Sequence, residues 1–340
     1  MSNRWPGGII RKTPVTPAGP LQCGAASGVW SLADASYWTK QGLWPIAGNI
    51  PTGTFAIFAL GAAPGSGSTT RNKYTYSGCV VASATASSTS SQYGAAAGTA
   101  TAGIFQIGAT GVVRNKYTYS GDINAIATSA TVTTDNGSAA GNSTVGIFAL
   151  GYAPSYSTTR NKYTYSGDVV SAGGAATVAT YGGSAAGSST VGIFALGARS
   201  PSCTVISTRN KYTYSGCVVS AGGAATVSSF LGSATGNSTT GIFALSRNCS
   251  YADIATRNKY TYSGCVVASA TSASTAAYTG SAAGNSTVGI FALGFSTCCG
   301  TLTTRNKYTY SGDVNALGGA ATVANKEGAA ASNGTTGVNM

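Results

Sequence analysis

The chain has 340 residues, 48 of them glycine, no histidine, and 19 basic against 7 acidic residues, giving a formal net charge of +12. The missing histidine and the scarcity of carboxylates remove the commonest general bases and most metal-ligand sets. No run of about 20 apolar residues is present to cross a bilayer as a helix.

Residues 1–54 are unlike the rest. They hold Pro6, Pro14, Pro17, Pro20, Pro45 and Pro51, all four tryptophans (Trp5, Trp30, Trp38, Trp44), and no repeat. Met1-Ser-Asn-Arg-Trp-Pro-Gly-Gly lacks the apolar run and cleavage site of a signal peptide, so Sec export is not expected. This composition predicts an extended attachment arm or a small adaptor. Gly28 to Pro45 permits one short helix capped at Ser31, or equally a strand and turn against the side of the main domain.

From Phe55 onward the chain is an array. Arg-Asn-Lys-Tyr-Thr-Tyr-Ser-Gly occurs six times without substitution, starting at Arg71, Arg114, Arg160, Arg209, Arg257 and Arg305. An element of the type Gly-Ile-Phe-Ala-Leu-Gly precedes each copy, in units starting near 55, 103, 146, 192, 241 and 289. Repeats of roughly 40 to 50 residues with several short strands are the signature of propeller blades. In the third unit the expected strands are Ile147 to Leu150, placed innermost, then Thr158 to Ser166, Ala175 to Thr180 and Ser188 to Val191. Gly-Ser-Ala-Ala-Gly is read as a joint, and no segment of the array has a helical apolar period. The fold class is therefore all-β: a six-bladed β-propeller over 55–340 with an N-terminal extended arm over 1–54. Closure is expected to bring Phe55 to Leu60 beside the sixth unit.

In the long strand, Asn161, Tyr163 and Tyr165 share one face, and Arg160, Lys162, Thr164 and Ser166 the other. The tyrosines fit as wedges between blades. Arg71, Lys73, Arg114, Lys116, Arg160, Lys162, Arg209, Lys211, Arg257, Lys259, Arg305 and Lys307 supply twelve of the 19 basic residues. They form either a cationic girdle for an anionic glycan, or stems packed between blades with their heads reaching solvent or carbonyls. Nucleic acid is disfavoured, since identical positions on a flat ring offer no groove reader and outside the repeats only Arg11 and Lys12 are adjacent basic residues.

The units differ in the connection that precedes Arg-Asn-Lys. It runs from six residues (Gly108 to Val113) to twelve (Gly197 to Thr208). Divergent loops on one face of a rigid scaffold suit a binding surface, and the candidates on them are Tyr152, Tyr156, Arg199, Arg247, Tyr251 and Asp253. A second variable position is Gln92, Asp135, Tyr181, Phe230, Tyr278 or Lys326, expected in a turn whose aromatics serve either binding or blade packing.

Catalysis has little support. The seven acidic residues share no short motif, three aspartates (Asp122, Asp168, Asp313) take one repeat position where other units carry Cys79, Cys217 and Cys265, and the many serines and threonines lack a base. No metal or cofactor is expected. Cys203 with Cys217 and Cys249 with Cys265 bracket whole strands and would stand too far apart for disulfides. Pairing between blades or free thiols is expected instead, and adjacent Cys298 and Cys299 read as loop residues.

The unit Gly-Ile-Phe-Ala-Leu-Gly... Thr-Thr-Arg-Asn-Lys-Tyr-Thr-Tyr-Ser-Gly-Asp... Gly-Asn-Ser-Thr-Val resembles the kelch-like repeats of virion structural proteins in tailed phages of cyanobacteria and other aquatic bacteria. Gly7 to Pro20, with the Gly28 to Pro45 stretch, is similar to an N-terminal module of phage structural and tail-associated proteins. Leu-Gly stands where kelch repeats usually have a double glycine. The resemblance implies a non-enzymatic virion component made in the host cytoplasm: a tail-fibre, baseplate or appendage protein displaying a host-binding face. It would contact other virion proteins through residues 1–54, with homo-oligomers within the particle. The alternatives are a purely architectural decoration or connector subunit and, more distantly, an enzyme acting on surface polysaccharide.

Overall fold

The computed structural model describes residues 54–63, 66–77, 79–108, 111–152, 155–199 and 204–334. The expected arm, with its tryptophans and Cys23, and also Cys203, lie outside them. Two compact units divide between Thr52 and Gly53, and only the second is described below.

Six four-stranded antiparallel sheets, with no helix among the described residues, form a six-bladed β-propeller. In the third blade the strands run, from axis to rim, Ser138–Gly141, Val145–Ala149, Arg160–Thr164 and Val169–Ala172. The innermost strands are thus the Ser-Ala-Ala-Gly type, and those of neighbouring blades lie side by side around the axis. This corrects the expected order of strands. The Gly-Ile-Phe-Ala-Leu strand is second from the axis, Ser188 to Val191 is the inner turn leading into it and not a strand of its own, Ala175 to Thr180 belongs to the crossover between blades, and the outermost strand is Val169–Ala172. Near the axis six backbones converge, and only Ala, Ser, Thr and Gly are small enough to fit; Ala139, Ala140, Ala185 and Ala186 are fully buried.

The ring closes by sharing a blade. Ala329–Ser332 supplies the innermost strand to Phe55–Ala59, with Ala56 opposite Ser332 and Ala59 opposite Ala329. In the third blade the Asn142 side chain accepts the N–H groups of Thr144 and Val145 at 2.9 Å each. At the closure Asn333 does the same for Thr54 and Phe55, at 2.9 and 3.0 Å, across a gap of some 279 residues. One turn geometry is kept whether or not the chain is continuous through it, and no strand edge is left open there. Thr54 and Gly334 lie at the strand ends opposite the variable loops.

The unvarying Arg-Asn-Lys-Tyr strand is explained by the seams. Its Asn and Tyr side chains face the preceding blade, and its Arg and Lys the following one. Tyr163 is wholly buried against Ala95, Ala97 and Ile104. Gly146 is required by the neighbouring Tyr165, whose hydroxyl would lie only 2.8 Å from a Cβ there.

The arginines do not form an exposed girdle: all six are at most 1 % exposed. Each guanidinium lies over the phenylalanine of the next blade, 4.4–4.7 Å from the ring centre, as for Arg160 over Phe194 and Arg257 over Phe291. Each also donates from Nη2 to the next blade's asparagine, for example Arg160 to Asn210 Oδ1 at 3.2 Å. That oxygen accepts a backbone N–H from the crossover as well, Thr177 at 3.1 Å, while Asn210 Nδ2 donates to Thr177 Oγ1 at 2.9 Å. No carboxylate makes a salt bridge with these arginines among the described residues. Burial lowers their pKa to about 10, so they stay charged at neutral pH, held by ring quadrupoles, amides and carbonyls. In the second blade Gln106 replaces the usual alanine and accepts from Arg114 Nε at 2.7 Å.

A second seam contact comes in two matched versions. Thr85, Thr128 and Thr271, just past the outer strands, donate their N–H groups to Asp122, Asp168 and Asp313 of the next blade at 3.0–3.3 Å. Just past the other three outer strands stand Gly174, Gly223 and Gly319, facing Cys217, Cys265 and Cys79, and any Cβ there would collide with the cysteine carbonyl oxygen. Thr always meets Asp and Gly always meets Cys. The six described cysteines, Cys249 and Cys265 among them, are free thiols.

Candidate functional site

The second strand of each blade runs from the inner turn to the variable loop, so all six loops leave the ring on one face. The second variable position lies on that face too, in the crossover, and bridges to the following blade's loop. Tyr181 pairs with Ala198, Phe230 with Arg247, Tyr278 with Phe295, Asp135 with Tyr152, Gln92 with Gly108, and Lys326 with Ala62. Two segments far apart in each repeat therefore form one surface. Short ribbons stiffen three loops: Ala62–Ala63 with Ser66–Gly67, Ala198–Arg199 with Thr204–Val205, and Phe295–Ser296 with Gly300–Thr301.

On this surface the aromatic side chains connect into an arc. Tyr152 meets Tyr156 edge-on at 5.5 Å, Tyr156 meets Tyr181 at 5.1 Å, Tyr181 meets Phe230 at 6.1 Å, and Phe230 meets Tyr251 at 5.9 Å. Arg247 then continues the line, its guanidinium 5.7 Å from the Tyr251 ring centre and 3.8 Å from that of Tyr278. Tyr278 meets Phe295 at 5.4 Å, and Lys326 Nζ closes the arc 5.7 Å from Phe295. Within it Phe230 is buried, whereas Tyr152 and Tyr251 are 38 % and 51 % exposed. The first two blades carry no aromatic residue in the described parts of these loops.

Arg247 is held in place. Its Nε donates to Asp253 Oδ1 at 3.2 Å and to the Tyr251 carbonyl at 3.1 Å, and its Nη2 to Thr297 Oγ1 of the next blade at 3.3 Å. Asp253 in turn accepts from Thr297 N at 2.7 Å. The pair locks one loop to its neighbour and presents a fixed cation between two tyrosines. Five of the six loop candidates, Tyr152, Tyr156, Arg247, Tyr251 and Asp253, belong to this arrangement. Arg199 stands exposed on its ribbon. Phe295 had no signal of its own, because its place in the arc depends on pairing with Tyr278.

Inside the arc, at the axis, the residues following the bridge positions are Tyr93, Asn136, Gly182, Leu231, Thr279 and Glu327, all with positive φ. This lets successive backbones bond around the axis: Gly182 N to Asn136 O, Leu231 N to Gly182 O, Thr279 N to Leu231 O and Glu327 N to Thr279 O, at 2.7–3.0 Å. The dimple they surround has about 20 Å³, about the space of one water. Glu327 is buried and pairs with Lys326 at 2.9 Å. Burial, aided by the nearby Glu327, raises Asp135 to about 6. No group of three potential metal ligands occurs among the described residues.

Neither a family model nor a curated relative matches the sequence. The fold is similar to the solved structure of YjhT, with a TM-score of 0.58 over 75 % of this chain and 94 % of that one, at 8 % identity. Such a likeness concerns the propeller fold alone.

Proposed function

We propose that the protein is a non-enzymatic binding component whose ligand docks on the loop face, and that it serves in a phage virion as a tail-fibre, baseplate or other appendage protein. The observation that carries the binding reading is the arc. All six seams share the Arg-Asn-Lys-Tyr strand, yet the loop aromatics, with Arg247 and Lys326 beside them, gather over only part of the loop face. A rigid frame holding a varied, amphipathic surface is the arrangement of a recognition site. Attachment to the particle is assigned to residues 1–54, and recognition to the loop face. The mutual packing of the rings favours a second reading, an architectural subunit whose arc is covered by another virion protein.

The test exchanges Gly197 to Thr208 and Ser246 to Thr256 for the short Gly108 to Val113 turn. The ring should still fold and be incorporated into particles, and adsorption to host cells should fall. Normal adsorption by particles that assemble poorly would replace the host-binding reading with the architectural one.

A further inference from the structure

The repeat lysines serve a different face from the loops. Lys162 leaves mid-strand toward the inner-turn end, where a cleft of about 310 Å³ opens between the third and fourth blades. Asn142 and Thr144 line it on the lysine's side, and Ser189, Thr190 and Ser215 across the seam. At the closing seam Lys307, Asn285 and Thr287 face Thr54 and Ser77 around a cleft of about 300 Å³. The two are the same repeat positions. Both approach the lower size of small-molecule sites, and both are backed by a buried tyrosine, Tyr214 or Tyr76, only 3 % exposed.

Their chemistry is one-sided. Neither lysine is in either of the two ion pairs found among the described residues. Lys307 Nζ donates to the Tyr76 carbonyl at 3.3 Å, which holds the ammonium at the cleft. The wall turns Tyr214 to Cys217 and Tyr76 to Cys79 carry cysteine where three other blades have aspartate, so no carboxylate stands in them. Asn142 is committed, its amide donating to the Ser189 carbonyl at 2.9 Å. The threonines are engaged as well: Thr144 and Thr287 donate their hydroxyls to Asn142 and Asn285 Oδ1 at 2.9 and 3.0 Å, and Thr54 Oγ1 accepts from Asn333 Nδ2 at 3.0 Å. The groups left to a ligand are therefore one ammonium in each cleft and the exposed hydroxyls of Ser189 and Ser215, or of Ser77.

We propose that these two clefts bind acidic sugar residues of a polysaccharide, the carboxylate or sulfate on Lys162 or Lys307 and the sugar hydroxyls on the neighbouring serines. Nucleic acid fits less well. Single-strand binding relies on exposed aromatic faces for stacking, and the tyrosines here are the buried back walls. Two separate sites on one rigid ring favour a long, repeating ligand, because the second contact becomes intramolecular. The site is distinct from the loop-face arc and does not depend on it.

The test is titration of the full chain at low salt with an oligouronate, a sulfated oligosaccharide, a neutral oligosaccharide of equal length, and single-stranded DNA. The uronate or the sulfated probe should bind, the one preferred identifying the acidic group, and the neutral probe and DNA should not. Lys162→Gln with Lys307→Gln should weaken binding about tenfold or more, as for loss of a charge-assisted contact at each site. Lys→Arg at both positions should retain most of it, and the loop exchange should leave it unchanged. Absence of binding to either acidic probe, affinity unaltered in the double glutamine variant with an unchanged near-UV CD spectrum, or DNA binding as tightly as the sugar would each overturn the proposal.

Discussion

The seam arginine offers an asymmetric test of what holds the ring together. Arg160→Met removes a buried charge along with its bond to Asn210 and its position over Phe194. The methionine can still fill much of the space, and the desolvation cost of the guanidinium disappears. Asn210 keeps its other partners in Thr177. Replacing a buried charge by a well-packed apolar group is often close to neutral, so a loss of about 1–2 kcal/mol is expected, mainly from the cation–π contact and imperfect packing.

Asn210→Leu is the opposite case. It is nearly isosteric, yet it strips the acceptor from Arg160 Nη2 and from the Thr177 N–H in one step. An unpaired buried backbone donor costs about 1–3 kcal/mol, and a lost hydrogen bond to a charged group about 1.5–3 kcal/mol, since Arg160 keeps the Gly174 carbonyl at 3.4 Å. With the overlap between these figures, a total of about 3–4 kcal/mol is expected. In the double variant the charge is gone, so its loss should be clearly smaller than the sum of the single losses. Urea unfolding followed by CD measures all three. An Arg160→Met variant as unstable as Asn210→Leu, or strictly additive losses, would show that the guanidinium is a packing element and not the centre of a hydrogen-bonded seam.

The matched seam contacts predict rescue. Gly174→Thr should lower the thermal midpoint through collision with Cys217, by roughly 1–3 kcal/mol, and adding Cys217→Asp should restore part of it by recreating the Thr128 and Asp168 contact; a double variant no better than the single one would deny the matching. Tyr163→Ala should cost roughly 3–5 kcal/mol as a large buried aromatic, and an unchanged midpoint would contradict its burial. Alkaline stability provides a further check. Ten tyrosines, Tyr212 at about 12 among them, are held by burial above the ordinary value of 10. They bind protons in the folded state that the unfolded chain releases, so their stabilisation is complete below pH 10 and is lost as pH rises through the folded values. The six arginines, lowered to about 10, act in the opposite direction, but six such groups offset only part of the effect of ten tyrosines. Stability should therefore be flat from pH 7 to 9 and fall above 10 as tyrosinate absorbance appears; a rise there would reverse the assignment.

The period of the repeat was enough to read the class, the number of blades and the pairing of Phe55–Ala59 with the last unit. The order of strands within a blade was not. Ser-Ala-Ala-Gly has poor strand propensity and looks like a joint, because what stabilises it is the convergence of six copies on the axis, a long-range condition. Ala175 to Thr180 looks more strand-like than it is, since its threonines and valine serve the seam, Thr177 through Asn210. Of the two readings of the arginines, the exposed girdle fails and the packing between blades holds, with heads on carbonyls as expected but also on the next blade's asparagine and phenylalanine. A usable signal was present, because Arg and Asn recur without substitution and five of the six units carry Phe-Ala before them while one carries Phe105-Gln106, the pattern of groups that meet their counterparts in the next unit. The arc was half legible. Its two variable segments were identified separately, and only the crossover bridges show that they meet.

The buried arginines also change how the net charge acts. A charge of +12 suggests a uniformly cationic ring, but six of the positive charges lie inside the seams, behind at least one aromatic ring each and away from solvent. The fields that reach water come chiefly from the lysines. Lys162 and Lys307 open toward the inner-turn face, whereas on the loop face Arg247 and Lys326 are each paired with a carboxylate, which leaves Arg199 the exposed cation outside the two ion pairs among the described loop residues. Long-range attraction of polyanions should therefore act on the cleft face and be sensitive to salt. Recognition at the loop face should rest on the aromatic arc and be far less so. The two faces of one ring thus differ in the physical force available to them, even though the same third strand supplies Lys162 to one and, through the seams it locks, the rigidity of the other.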